Sequence, residues 1–265
     1  MLMKKYGYAI VTACIIFTIF SVLCINISAD QTLHWYCKRN AAHLQPRMDE
    51  NMQIIEQLDG VYVDGLHGDQ NPEKVIYLTF DAGYENGNVE KILDVLKAED
   101  IPGAFFILGN LMIQNPELVQ RMAKEGHLVC NHTYTHKNIT TMSAQQIKSE
   151  LQRLENAYFE LTNTPMAKYF RPPEGTFDQK SLQVIKDCGY KTVFWSFAYA
   201  DWDNRKQMDP EAAMKKILDN LHNGEIMLLH PTSATNAAIL QDLIVKLKDM
   251  GYRFGSLDEL QVQDQ

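Results

Sequence analysis

Val75-Ile-Tyr-Leu-Thr-Phe-Asp-Ala-Gly83 runs six residues without a charge and then ends in an acid beside two small residues. Such a run reads as a buried strand delivering a carboxylate to its C-terminal end. Working outward, Val89–Glu99 has apolar residues at helical spacing, and Pro102-Gly103 punctuates the chain before a second apolar strand at Ala104–Leu108. Pro116–Glu125 predicts a short helix stopped by Gly126, and Leu128–Cys130 a strand. Ser143 is a good N-cap for a helix to about Leu161. Strands follow at Lys168–Phe170, Thr192–Trp195, Glu225–Leu229 and Tyr252–Phe254, separated by helices at Gln179–Cys188, Pro210–Leu221 and Asn236–Met250. Strands alternating with helices of this length predict a parallel α/β fold.

The reactive residues fall just after strands: Asp81, His132, Arg171, Asp201 and His230. In an α/β barrel the active site gathers at the C-terminal ends of the strands, so these placements agree with one another. His132-Thr-Tyr-Thr-His136 spaces two imidazoles four apart, which on a helical turn puts both on one face, able to share a metal ion. Asp81 beside Ala82 and Gly83 leaves room for close approach of a substrate; it reads as a turn former when taken alone and as a general base beside activated water. His230 closes the apolar strand Ile226-Met-Leu-Leu and reads as a general acid, against the alternative of a satisfied buried histidine. Arg171-Pro-Pro-Glu-Gly175 is a rigid turn whose arginine calls for a carboxylate, and Asp201-Trp202 offers one, with an aromatic face on which a sugar can stack. Together these are the parts of a metal-assisted hydrolase, with backbone N–H groups of the proline-bounded turn as oxyanion donors.

The chain has 265 residues, 46% of them hydrophobic and 22% charged, enough for one sizeable core. A net charge of −8 gives no footing for non-specific nucleic-acid binding. Residues 1–29 stand apart: Lys4 and Lys5 precede an apolar stretch from about Tyr8 to Ile27, followed by Ser28-Ala29. That order predicts export, by a cleaved signal peptide or an uncleaved membrane anchor, because about twenty apolar residues also span a bilayer. Ser-Val-Leu ahead of Cys24 lacks the small residue of a lipoprotein site. Cys37, Cys130 and Cys188 form neither a zinc pattern nor a disulfide framework. Residues 30–74 are a lead-in with one helix expected around Asp49–Leu58, and residues 75–260 a single catalytic domain.

In this order the motifs resemble the polysaccharide deacetylase family, the NodB-like carbohydrate esterases, over roughly residues 75 to 260: Thr79-Phe-Asp-Ala-Gly83, His132–His136, Arg171–Gly175, Asp201-Trp202 and Leu228-Leu-His230. The resemblance implies a deformed (β/α) barrel and divalent-metal-dependent removal of acetate from N-acetylated sugars, with Zn, Co or Mn as the metal. Position by position it implies Asp81 as base and His132 and His136 as metal ligands. Arg171 then orients the base, Asp201 holds the arginine, and His230 is the acid. Leu228 would wall the acetate pocket, and the Glu174 N–H would serve the oxyanion. One departure stands out, because members usually carry a second Asp, the third metal ligand, where this chain has Ala82. That implies either a weaker site completed by waters, with Glu85 or Asn86 as candidate substitutes, or a domain without catalysis. Asp81-Ala-Gly-Tyr-Glu-Asn-Gly87 and Gly251-Tyr-Arg-Phe-Gly-Ser-Leu257 resemble the muramic δ-lactam-forming branch, which acts on spore-cortex peptidoglycan and also lacks the second Asp. The alternatives are another N-acetylated glycan (N-acetylglucosamine, chitin oligomers, exopolysaccharide) or a non-catalytic glycan-binding module.

Overall fold

The computed structural model describes residues 31–39 and 42–260, so the export segment expected over residues 1–29 lies outside the described residues. Its strands are β1 (Leu33–His34), β2 (Lys74–Ala82), β3 (Ala104–Ile107), β4 (Leu128–Asn131), β5 (Tyr169–Phe170), β6 (Thr176–Phe177), β7 (Lys191–Thr192), β8 (Glu225–Leu229) and β9 (Tyr252–Phe254). The helices are α1 (Ile54–Gln57), α2 (Val89–Glu99), α3 (Gly109–Gln114), α4 (Pro116–Lys124), α5 (Ala144–Thr162), α6 (Gln179–Asp187), α7 (Pro210–Asn220) and α8 (Ala234–Asp249). A seven-stranded parallel sheet runs β7-β5-β4-β3-β2-β8, with β9 beside the start of β2. Beyond β7 the chain bends away from β5 and meets β8 through a parallel bridge, Phe197 to Met227. The sheet thus curls round on itself as a deformed (β/α) barrel.

Two-residue alternation sorts β2 into two faces. Ile76, Leu78, Phe80 and Ala82 pack outward against Ile92 and Leu96 of α2 and Leu240, Leu243 and Leu247 of α8. Val75 and Tyr77 face inward with Ala104, Phe106, Cys130 and Ile226, a smaller cluster that fills the lower barrel. Asp81 shares the parity of Val75 and Tyr77 and so reaches the barrel mouth. The capping expected of Ser143 is present: its hydroxyl accepts from the Gln146 N–H, and Gln146 Oε1 accepts from the Ser143 N–H.

Two local expectations needed correction. The strand expected over Thr192–Trp195 shortens to Lys191–Thr192, because Val193 leaves the ladder to bridge Val61 and the chain then swings toward β8. The helix expected around Asp49–Leu58 breaks into a 3-10 turn, Glu50–Met52, and the single turn α1. Helix α3 was not foreseen. The lead-in packs into the fold: β1 pairs with β6, and Trp35, Met52, Ile55 and Tyr62 share a core with Phe177, Leu182 and Phe194. Among the described residues no helix is long and apolar enough to cross a membrane.

Candidate active site

Asp81 leaves β2 with 11% of its side chain exposed, and Arg171, fully buried at the end of β5, holds it: Nη1 donates to Asp81 Oδ1 at 2.8 Å. The rest of the guanidinium is spent on fixing itself, with Nε donating to the Val193 carbonyl and Nη2 to Thr79 Oγ1 and the Phe194 carbonyl. Its planar fork also lies over the Phe106 ring, 4.1 Å from the centroid. Burial pushes the Asp81 carboxyl up, but the charges of Arg171, His132 and His230 outweigh it and hold the carboxyl below its usual range. Asp81 is therefore an anion at neutral pH.

The two histidines meet, though not on a helical turn. Residues 132–136 form a bent loop in which Thr133 (φ 70°) and His136 (φ 58°) are left-handed, a costly conformation for a β-branched residue and one typical of functional sites. The loop is pinned from outside: Glu150 on α5 accepts from the Tyr134 and Thr135 N–H groups at 3.0 and 2.8 Å and from the Thr135 hydroxyl. Thr133 Oγ1 accepts from the His136 N–H. The two imidazole centroids end 5.0 Å apart. His132 Nδ1 donates to the Arg171 carbonyl at 2.8 Å, which leaves the Nε2 lone pair free, the orientation found in metal-ligating histidines. Burial, opposed by the Asp81 charge, drives His132 down to about 4, so its imidazole is neutral at pH 7. The pair fits an open divalent site with two protein ligands. Among the described residues no cluster of three or more His, Cys, Asp or Glu side chains is disposed to hold a metal ion. Ala82 sits in the outer apolar layer, and the suggested substitutes are committed elsewhere. The Glu85 carboxylate accepts from the Gly87 and Val89 N–H groups, capping α2, and Asn86 donates to the Thr232 carbonyl.

The expected pairing of Asp201 with Arg171 is not found. Asp201, 1% exposed, binds His230 instead: Oδ1 accepts from His230 Nδ1 at 2.7 Å and Oδ2 from the His230 backbone N–H at 2.8 Å. Burial pushes His230 down, yet the bond and charge of Asp201, together with the charge of Asp81, raise it above its ordinary value. With Nδ1 donating to Asp201, Nε2 is the nitrogen left for proton transfer.

Asp81, His132, His136, Glu174, Trp202, Leu228 and His230 all border one cavity of about 680 Å³ at the C-terminal ends of the strands. Trp202 is 60% exposed, with its ring centroid 6.1 Å from that of His230, so it is not core packing. Leu228 is a buried wall. Glu174 is left-handed (φ 57°), followed by Gly175 (φ 64°), where a Cβ would fall 2.8 Å from Trp195 Cη2. Arg171 and Asp201 act from behind the wall. Sequence reasoning missed Tyr84, Leu108, Trp195, Tyr199 and Thr232 on the lining, and Thr79, Glu150 and Asn236 behind it. Thr79 was foreseeable from the strand period, since it shares the inner face with Asp81; Glu150 and Asn236 carried no local signal.

A carboxylate and a histidine facing one cavity, beside two further imidazoles, make a candidate hydrolytic site on a barrel of the carbohydrate-esterase type. Residues 68–193 match the Polysaccharide deacetylase family. The chain is 39% identical to the peptidoglycan-N-acetylmuramic acid deacetylase PdaA of Bacillus subtilis, over 87% of this chain and 86% of that protein. It is 40% identical to an uncharacterized 30.6 kDa protein of Geobacillus stearothermophilus, over 92% of this chain and 90% of the relative. The solved structure of Bacillus subtilis PdaA, a family 4 carbohydrate esterase, superimposes with a TM-score of 0.83 at 38% identity, covering 89% of this chain and 99% of that one. This chain belongs to the polysaccharide deacetylase family.

Proposed function

We propose that this protein removes the acetyl group from N-acetylmuramic acid in peptidoglycan, the step before muramic δ-lactam closure in spore cortex. The observation that carries the reaction is Asp81 and His230 bordering one cavity, each bound to its own buried partner of opposite charge, Arg171 for Asp81 and Asp201 for His230. The substrate follows from kinship with a relative named for that sugar.

In this reading Asp81, oriented by Arg171, takes the proton of the attacking water. The Glu174 N–H, aimed by the left-handed turn, stabilises the oxyanion of the tetrahedral intermediate. His230, kept in one tautomer by Asp201, protonates the departing amine. Leu228 packs the acetyl methyl, and Trp202 stacks on the sugar face. His132 and His136 would hold a divalent cation, which supplies Lewis-acid polarisation and a more acidic water when bound. Of Zn, Co and Mn, two imidazoles with open positions favour Zn. Export through residues 1–29, cleaved or retained as a membrane anchor, belongs to the same proposal, because peptidoglycan lies outside the cytoplasm.

The protein, supplied with Zn, Co or Mn, is expected to release acetate from peptide-free glycan strands. Product analysis should show de-N-acetylated muramic acid, and Asp81→Asn should abolish release. Acetate released only from N-acetylglucosamine residues would overturn the substrate, and activity surviving removal of both His132 and His136 would overturn the metal site.

A further inference from the structure

The Asp201–His230 pair continues into the body of the protein. Asn236, 1% exposed in the first turn of α8, donates through Nδ2 to Asp201 Oδ2 at 2.6 Å and to the His230 carbonyl at 3.1 Å. Both of those partners can only accept, so the amide orientation is fixed and Oδ1 points the other way. There it accepts from the hydroxyl of Tyr199, which is 4% exposed and lines the cavity. Burial and the Asp201 charge hold that phenol above its ordinary value, so it remains a donor. The backbone of Asn236 is separately satisfied, its N–H capped by Ser233 Oγ. Both amide hydrogens therefore serve the acid–histidine pair and none serves the helix. Gln207 braces the same corner, donating to the Asp201 carbonyl while its own carbonyl accepts from the Ser233 hydroxyl.

We propose that Asn236 is a positioning residue for deacetylation. Locked by Tyr199, it fixes the rotamer of Asp201 and draws off part of its charge, which sets the orientation and proton affinity of His230. This rests on the reading of His230 as the general acid. The charged groups facing His230 are Asp201, Asp81 and Arg171, and Asn236 touches only the first.

The test is Asn236→Leu, a change that keeps volume and removes both donors. A lost hydrogen bond to a charged group predicts kcat about 10- to 100-fold lower with KM within about twofold. With the carboxylate charge undiluted, the His230 imidazole, followed by NMR in the metal-free protein, should titrate higher by about half a unit to one unit. Tyr199→Phe should move it the same way by less, and decides the matter if Asn236→Leu does not fold. An unmoved His230 titration in whichever variant folds, with kcat intact, overturns the proposal. His230→Ala is the control: if it keeps full activity, the general-acid reading fails first and the proposal falls with it. If it is inactive while the Asn236→Leu profile matches wild type, the proposal alone fails.

Discussion

Replacing Asp201 with asparagine keeps the shape of the pocket wall and removes one charge. In the native protein His230 Nδ1 sits 2.7 Å from Asp201 Oδ1, with a quarter of the imidazole exposed and the carboxylate 1% exposed. A hydrogen bond to a charged group in such a place is worth about 1.5–3 kcal/mol, or roughly one to two pH units at 1.36 kcal/mol per unit. Burial already pushes His230 down, and it is the carboxylate that lifts it above its ordinary value. Without that charge the balance reverses, and the imidazole loses its proton at lower pH. A general acid must be protonated to act, so above its pKa each unit of downward shift leaves about a tenth as much active enzyme. Asp201→Asn should therefore lower kcat about 10- to 100-fold on the alkaline side, with progressively smaller loss as the pH falls. Log kcat against pH on peptide-free glycan strands, by acetate release, reads this directly as an alkaline limb moved one to two units toward acid. A loss of equal size at every pH would refute the reasoning, because it would show that Asp201 acts by position and not by charge.

Two further outcomes follow from the loops around the site. Glu150→Ala removes the acceptor for three donors of the 132–136 loop, and divalent-cation affinity measured by calorimetry should fall about 10-fold, as for other partners standing behind metal ligands. Gly175→Ala forces a Cβ into Trp195 at a positive φ, so urea unfolding should show about 1–3 kcal/mol less stability, with the oxyanion turn displaced and kcat reduced.

The fold was legible because its signals are local and repeated. The apolar run of β2, the Ser143 cap and the spacing of α2 and β8 each point to one state, and the structure keeps Val89–Glu99 and Glu225–Leu229 at the bounds the sequence predicts. Placing Asp81, His132, Arg171 and His230 at strand ends was equally local, whereas Asp201 lies nine residues beyond the end of β7. What stayed hidden depends on contacts far apart in the chain. The short pairing of β1 with β6 is set by Trp35, whose N–H donates to the Gly175 carbonyl and whose indole N–H donates to the Trp195 carbonyl. The left-handed geometry of Thr133 and His136 depends on Glu150, an exposed-looking helix position in the sequence. Four-residue spacing suggested a helical turn, but two positive φ angles bring the imidazoles together by another route.

The pairing of Asp201 shows where strand order decides chemistry. Arg171 ends β5, and β5 stands four places from β8 along the sheet. Asp201 follows the segment that leaves β5 and joins β8 at Phe197 and Met227, so the curl of the sheet carries it past Arg171. The Phe197 carbonyl accepts from the Leu228 N–H, and two residues further along β8's path is His230. A side chain four residues beyond Phe197 therefore arrives beside the end of β8. Arg171 instead spans the mouth to β2, where Thr79 and Asp81, two apart and on one face, receive two of its nitrogens. Asp81 and His230 each have their own buried partner, one positive and one negative, and this division pushes their proton affinities in opposite directions. Had Asp201 paired with Arg171, it would have offset the charge that keeps Asp81 ionised and taken from His230 the larger of the charges that oppose burial. The closure of the barrel at Phe197 is thus what gives Asp81 and His230 separate partners across one cavity.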